Sequence, residues 1–240
     1  MSGRENSVAK LFHRQLVKSC GKQNLYDLSI PLCGADRHFN ADEMFAANDW
    51  FLLIEFKSGR RNVKAENTKL SACRLCTSLR QHKDAEHYHR QCHYVMWGKK
   101  IRDAGLKTHG GIYQDLVCRP DVLPACIALK SETVKRVDDK AQIFLGEELA
   151  SKVAQKKAGL HAAEFSLYLQ WLLGLRGGEN TSQKFPIVLF GISMTGPLES
   201  YAFSSLHELA KWADLGAIPK IEPDEKPARE GGTEPSGLGF

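Results

Sequence analysis

The run Trp50–Lys57, Trp-Phe-Leu-Leu-Ile-Glu-Phe-Lys, constrains this chain more than any other segment. Successive side chains of a strand point to opposite faces. Phe51, Leu53, Glu55 and Lys57 therefore share one face, and Trp50, Leu52, Ile54 and Phe56 share the other. Both faces stay apolar as far as Glu55, so the run reads as a central strand of a sheet covered on both sides. It closes on a carboxylate and an ammonium two residues apart, on one face at the edge of the core. Alone, that ending is a weak signal, because many strands end in solvated charges.

The residues before it sharpen the signal. A second strand-like run, 38–46, is separated from Trp50–Lys57 by Asn48-Asp49, a pair suited to a two-residue hairpin loop. Ala47 then pairs with Trp50, and Asp42 falls opposite Glu55 on the same face. Like charges facing each other across strands are destabilising. Two carboxylates held beside a core call for a cation, and oxygen donors suit Mg²⁺ or Mn²⁺. Lys57 leans into the same place. Residues 5–19 form an amphipathic helix with Val8, Leu11, Phe12 and Leu16 as its apolar stripe. Glu5 tops that stripe as a third acid; equally, a Glu in a first helical turn simply complements the helix dipole.

Composition narrows the setting. Of 240 residues, 42% are hydrophobic and 25% charged, as in ordinary globular proteins. No apolar run approaches the roughly 20 residues of a membrane helix, and MSGRENSVAK lacks the apolar core of a secretory signal. The seven cysteines are then read as reduced thiols in a cytoplasmic protein, their odd number arguing against a complete disulfide framework. Cys73-x-x-Cys76, with His89 and Cys92 beyond it, offers four ligands for a structural metal. The competing reading packs both cysteines with Leu70 and Leu79 as small hydrophobes. There is no phosphate-binding Gly-x-x-x-x-Gly-Lys-Ser/Thr loop and no Gly-x-Ser-x-Gly elbow, so if the system needs nucleotide energy another protein supplies it.

Charge is uneven. The first 110 residues carry 19 Lys or Arg against 11 Asp or Glu, and the remaining 130 carry 14 against 17. A basic first half points to a polyanionic partner. Arg60, Arg61 and Lys64, expected in a flexible loop beyond Lys57, could clamp phosphates.

Elsewhere, 26–37 reads as a loop or short strand, 65–81 as helix, and 93–97 as a buried strand closed by Gly98. Residues 99–140 show no clear period, with 125–129 as a candidate strand. Two helices broken near Gly159 span 146–175 and end at Gly177-Gly178; 186–192 reads as a strand, 204–213 as a short helix and 219–240 as a disordered tail.

Helical Glu5, then Ala41-Asp42, then Leu52-Leu53-Ile54-Glu55-Phe56-Lys57-Ser58-Gly59 resembles the PD-(D/E)xK nuclease superfamily. The spacing is most similar to its archaeal Holliday-junction-resolvase and RecB-like branches. The likeness covers residues 4–98, and Ala41 stands where the family has proline. It implies an α/β restriction-endonuclease-like fold, a mixed sheet flanked by helices with a helical elaboration after residue 98, in one domain over 1–218. It implies a metal-dependent nuclease acting on nucleic acid, DNA first. The partners expected beside the nucleic acid are a second copy of the chain or a protein supplying nucleotide-driven activity, with no membrane. Asp42, Glu55 and the Phe56 carbonyl would hold Mg²⁺ or Mn²⁺, Lys57 would position or deprotonate the attacking water, and Glu5 would ligate through water or hold a second ion. The rival expectation is a non-catalytic module on the same fold, binding nucleic acid or protein, with a structural zinc as an option.

Overall fold

The computed structural model describes residues 3–32, 39–102, 105–130 and 143–175. It opens with a long helix, α1 (Gly3–Gly21), followed by strands β1 (Asp27–Pro31), β2 (Glu43–Ala47) and β3 (Trp50–Lys57). A 3-10 helix, Arg60–Thr68, leads into α2 (Leu70–Gln81) and α3 (Lys83–Cys92). Next come β4 (His93–Ile101), β5 (Gly105–Ile112) and the short α4 (Tyr113–Val117). The described part closes with β6 (Phe144–Leu145), α5 (Gly146–Ala154), β7 (Leu160–His161) and α6 (Ala162–Gly174).

The strands make one seven-stranded mixed sheet in the order β1-β2-β3-β4-β5-β6, with β7 added beside β3. The hairpin forms as its loop chemistry requires: Ala47 pairs with Trp50 and Glu43 with Ile54, and Asn48 takes the positive φ of 51°. β4 runs parallel to β3 from Leu53↔His93 to Lys57↔Trp97. A parallel neighbour needs a crossover, here the 3-10 helix, α2 and α3. β7 occupies the rest of the same edge, pairing Trp50 with His161 and Phe51 with Leu160. β3 is thus central, and all its residues but Trp50 are buried.

Both faces are covered, as the two apolar faces of β3 demand. On one side the α1 stripe Val8, Phe12, Leu16 and Cys20 is buried, with Leu11 at its margin. Phe12 lies edge-on to Phe45 at 5.1 Å and 6.4 Å from Phe56, and His13 Nε2 lies 2.6 Å from Asp27 Oδ2, latching α1 to β1. On the other side Phe51 stacks on Phe165 of α6 at 5.2 Å, and α3 packs against both α6 and β3.

Several expectations are corrected. β4 does not stop at Gly98 but runs to Ile101 as a hairpin with β5, so the chain beyond residue 98 contributes strands as well as helices. Residues 125–129 turn into a 3-10 helix, Ile127–Leu129, rather than a strand. The cations beyond Lys57 sit on the 3-10 helix, not in a loop. The break at Gly159 is there, filled by β7. The turn at Gly177-Gly178, the strand 186–192, the helix 204–213 and the tail lie outside the described residues. Among the described residues no helix is long and apolar enough to cross a membrane.

The cysteines differ most. Cys73 is bonded to Cys126 and Cys76 to Cys118, so four of the seven are not thiols. The grouping of Cys73 and Cys76 with His89 and Cys92 does not form; Cys92 is a free, buried thiol and His89 turns to Tyr168. The partners of Cys73 and Cys76 come from 53 and 42 residues away, and no spacing in the sequence marks them. The expectation of a cytoplasmic chain drew on reduced cysteines, and that support is gone.

Gly159 gives the sharpest test of this packing. Its φ is +93°, and a Cβ there would lie 2.7 Å from the Trp50 ring and 2.9 Å from the Phe51 carbonyl oxygen. Gly159→Ala should therefore destabilise the chain by about 2 kcal/mol or more, from the left-handed backbone and the contact with β3 together. The urea midpoint reads this; a change under about 0.5 kcal/mol would contradict the packing.

Candidate active site

The C-terminal end of β3 carries a closed ring of opposite charges. Lys57 Nζ lies 2.5 Å from Glu55 Oε1 and 2.7 Å from Glu66 Oε1. Lys69 Nζ lies 2.6 Å from the same Glu55 oxygen and 3.0 Å from the same Glu66 oxygen. Tyr113 donates its hydroxyl hydrogen to Glu66 Oε2 at 2.7 Å. Both glutamates and Lys57 are buried, and Lys69 is the partly exposed member.

Local structure explains the convergence. The β3 alternation puts Glu55 and Lys57 on the α3 and α6 side of the sheet. The 3-10 helix then folds back, burying only Val63 and Glu66 of its nine residues. Lys69 is the extended residue between that helix and α2, its N–H donating to the Glu66 carbonyl at 2.9 Å. Buried ions need partners, and the ring pairs each carboxylate with both ammonium groups while Glu55 Oε2 stays without a hydrogen-bond partner. Glu66 and Lys69 are the residues the sequence reading missed. Their only signal was an acid and a base inside an otherwise polar, exposed segment.

Asp42 reaches the same place differently. The β2–β3 ladder stops at Glu43↔Ile54, one residue short of the expected Asp42–Glu55 pair. Asp42 instead donates its own N–H to the Ile54 carbonyl at 2.9 Å, and its Oδ2 accepts the Phe56 N–H at 2.7 Å. Its carboxylate thus takes over a ladder bond beside Glu55. The turn before it holds Asn40 at φ +50°.

That turn is clamped by a buried histidine pair. His93 Nε2 lies 3.0 Å from the Asn40 carbonyl, and Tyr168 Oη lies 2.8 Å from His93 Nδ1 and 2.6 Å from His89 Nδ1. A carbonyl only accepts, so His93 carries its proton on Nε2 and takes the Tyr168 hydroxyl proton on Nδ1. Tyr168 has no second hydrogen, so His89 Nδ1–H donates to it. His89 Nε2 is left as a bare, buried acceptor, and that atom has no partner. Both rings are neutral: burial lowers His93 to about 4 and His89 well below its ordinary value.

Burial and repulsion from Glu66 and Asp42 push Glu55 up to about 7, against the pull of Lys69 and Lys57. Burial raises Asp42 as well, opposed by the Phe56 N–H and the two lysines. Glu66 is lowered despite burial, because both lysines and the Tyr113 hydroxyl hold its charged form. Burial would lower Lys57, but Glu55 and Glu66 outweigh it and raise it. It is a firmly charged ammonium.

Among the described residues, with both disulfides closed, no group of three or more His, Cys, Asp or Glu side chains is arranged to hold a metal ion. A divalent ion would therefore rest on Asp42 and Glu55 with main-chain, water and phosphate oxygens, which is how Mg²⁺ is commonly held. One observation fits this: Glu55 Oε2 is buried without a hydrogen-bond partner, while Oε1 takes both ammonium groups. Glu5 lies half-buried in the first turn of α1, the helix packed on the other face of β3. Arg60, Arg61 and Lys64 are exposed on the 3-10 helix whose buried side carries Glu66.

No family model matches this chain, and no curated protein or solved structure matches it either.

The histidine pair makes the fold acid-sensitive in a defined window. A group whose folded value lies below its unfolded one binds the proton more readily when unfolded, so stability falls as pH drops. For His93 the window runs from 6.5 down to about 4, a gap worth about 3 kcal/mol. Urea midpoints should fall across it, and His93→Gln should flatten the fall. An unchanged slope in that variant would refute the neutral clamp.

Proposed function

We propose that this chain is a divalent-metal-dependent nuclease that hydrolyses phosphodiester bonds of DNA on a restriction-endonuclease-like fold. The observation that carries the reading is the end of β3. There Glu55 offers a buried oxygen without a partner, Asp42 is pinned beside it through the Phe56 N–H, and Lys57 is held charged between two carboxylates. Strand order supports it too: a helix, three antiparallel strands, and a helical crossover to a parallel strand.

Asp42, Glu55 and the Phe56 carbonyl would hold Mg²⁺ or Mn²⁺. Bound there, the ion would polarise the phosphate and lower the pKa of a bound water. The residues do the rest. Lys57, raised rather than lowered, does not take a proton from water at neutral pH; it donates hydrogen bonds to the charge that grows on the phosphate. Lys69 keeps Glu55 and Glu66 in place when Lys57 turns toward substrate, since it touches the same two oxygens. Arg60, Arg61 and Lys64 hold the DNA backbone on either side. Glu5, at the start of α1, would support a second ion or a water.

Plasmid and linear DNA incubated with Mg²⁺, Mn²⁺ or EDTA test this directly, with RNA as the comparison substrate. Cleavage should require the metal and disappear in Asp42→Ala and Glu55→Ala. Lys57→Ala should slow cleavage by about 10²–10³-fold while Mn²⁺ binding, followed by calorimetry, persists. A wild-type chain that binds DNA but cuts none with any divalent ion would leave a non-catalytic module instead. Replacing Arg60, Arg61 and Lys64 together by Ala should flatten the salt dependence of DNA binding by about three in the log–log slope. An unchanged slope would return the 3-10 helix to solvent.

A further inference from the structure

The two disulfides lie on one seam. Cys73 and Cys76 occupy positions i and i+3 of α2, so their side chains leave the same face one turn apart. Their partners come from a single stretch: Cys118 closes α4 and Cys126 precedes the 3-10 helix Ile127–Leu129. The bonded Cα pairs are 5.3 and 5.4 Å apart, and Cys126 Sγ also lies 3.7 Å from the Cys73 carbonyl oxygen and 3.9 Å from Thr77 Oγ1. The two disulfides thus leave α2 one helical turn apart. Cys76 and Cys126 are buried, with Cys73 and Cys118 half-buried beside them.

We propose that Cys73, Cys76, Cys118 and Cys126 form one tetrathiolate zinc site in the reduced chain, for which the two disulfides are the oxidised counterpart. Zn²⁺ takes four thiolates tetrahedrally at about 2.3 Å, and Cys-x-x-Cys on one turn is a usual half of such a site. That geometry separates the sulfurs by roughly 3.8 Å, so each bonded pair need part by only about 2 Å, within reach of side-chain rotation. A second tie spans the same two segments. Arg80, one turn beyond Cys76, donates to the Ala128 carbonyl at 2.6 Å and stands at the same junction.

There is a structural demand for such a staple. From Cys118 to Lys130 the chain makes only turns and one three-residue 3-10 helix, too little regular structure to hold itself. The same stretch follows Tyr113, the hydroxyl donor to Glu66. The other two described cysteines, Cys20 and Cys92, are free and buried in the core.

The interconversion balances. Each disulfide is reduced by one tertiary phosphine: the S–S bond breaks, two thiols form, and the phosphine becomes its oxide with oxygen from water. The four thiols then release four protons as Zn²⁺ binds. The test uses the full chain, reduced with a phosphine under argon and titrated with Co²⁺. Expected are the intense visible bands of tetrahedral cobalt with sulfur ligands, an endpoint of one Co²⁺ per chain, and bleaching by one equivalent of Zn²⁺. Zn²⁺ should also protect four cysteines from alkylation, identified by peptide mass. Cys118→Ser and Cys126→Ser should each weaken Zn²⁺ binding by at least about 100-fold, since loss of a ligand costs no less than loss of its hydrogen-bonded support; Cys20→Ser should change nothing. A reduced wild type that gives no tetrahedral cobalt spectrum, with all four thiols alkylated in excess Zn²⁺, overturns the site without any appeal to a variant's folding. Equal zinc affinity in Cys118→Ser and wild type overturns it as well.

Discussion

Two lysines shared between two buried glutamates hold the end of β3 together, and the surrounding chain is arranged to make that sharing possible. Glu55 and Lys57 come from the strand, Glu66 and Lys69 from the segment that leaves it. Removing one member would strand a charge in the core, which commonly costs about 3–5 kcal/mol. The ring therefore dictates the local path: the 3-10 helix must turn back over β3, α2 must start directly after Lys69, and α4 must present Tyr113 to Glu66.

The same ring leaves its charge incomplete. Asp42, Glu55 and Glu66 bring three carboxylates, while Lys57 and Lys69 bring two ammonium groups. Glu55 responds by rising to about 7 under burial and the repulsion of its neighbours, so it can shed its excess charge by keeping a proton. A divalent cation would do the same work by another route, and the unpartnered Glu55 oxygen is where it would act. Asp42 is suited to join because it is fixed by the main chain: the Phe56 N–H, the Ile54 carbonyl, and an Asn40 turn held by His93.

The cysteine seam serves a different region. It ties α2 to the irregular stretch after α4, and through α4 it bears on Tyr113. The polar ring, the histidine clamp and the seam all converge on the side of the sheet that carries Glu55. On the α1 side Phe12, Phe45 and Phe56 pack together, with polar ties from His13 to Asp27, Ser29 to Glu43 and Thr108 to Gln15.

What the sequence determined by itself is local. The two-sided burial of Trp50–Lys57, the hairpin at Asn48-Asp49, the α1 stripe and the break at Gly159 each follow from side-chain period or turn chemistry within a few residues. Glu55, Lys57 and Asp42 were legible for the same reason, as charges at the end of a strand and its hairpin partner. Tertiary structure decided everything that depends on meeting at a distance. Glu66 and Lys69 look solvated in a polar segment until Lys57 and Glu55 are folded beneath them. Cys118 and Cys126 have no spacing that marks them as partners of Cys73 and Cys76. β5, broken by Gly110-Gly111, has no apolar period of its own and becomes a strand because β4 offers it a ladder from Tyr94 to Ile101. Gly110 must be glycine there, since a Cβ would lie 2.7 Å from Met96 and 2.9 Å from the Val95 carbonyl. Period and turn residues act along the chain; buried charge, sulfur pairing and backbone approach act through space, and only the folded chain brings their partners within reach.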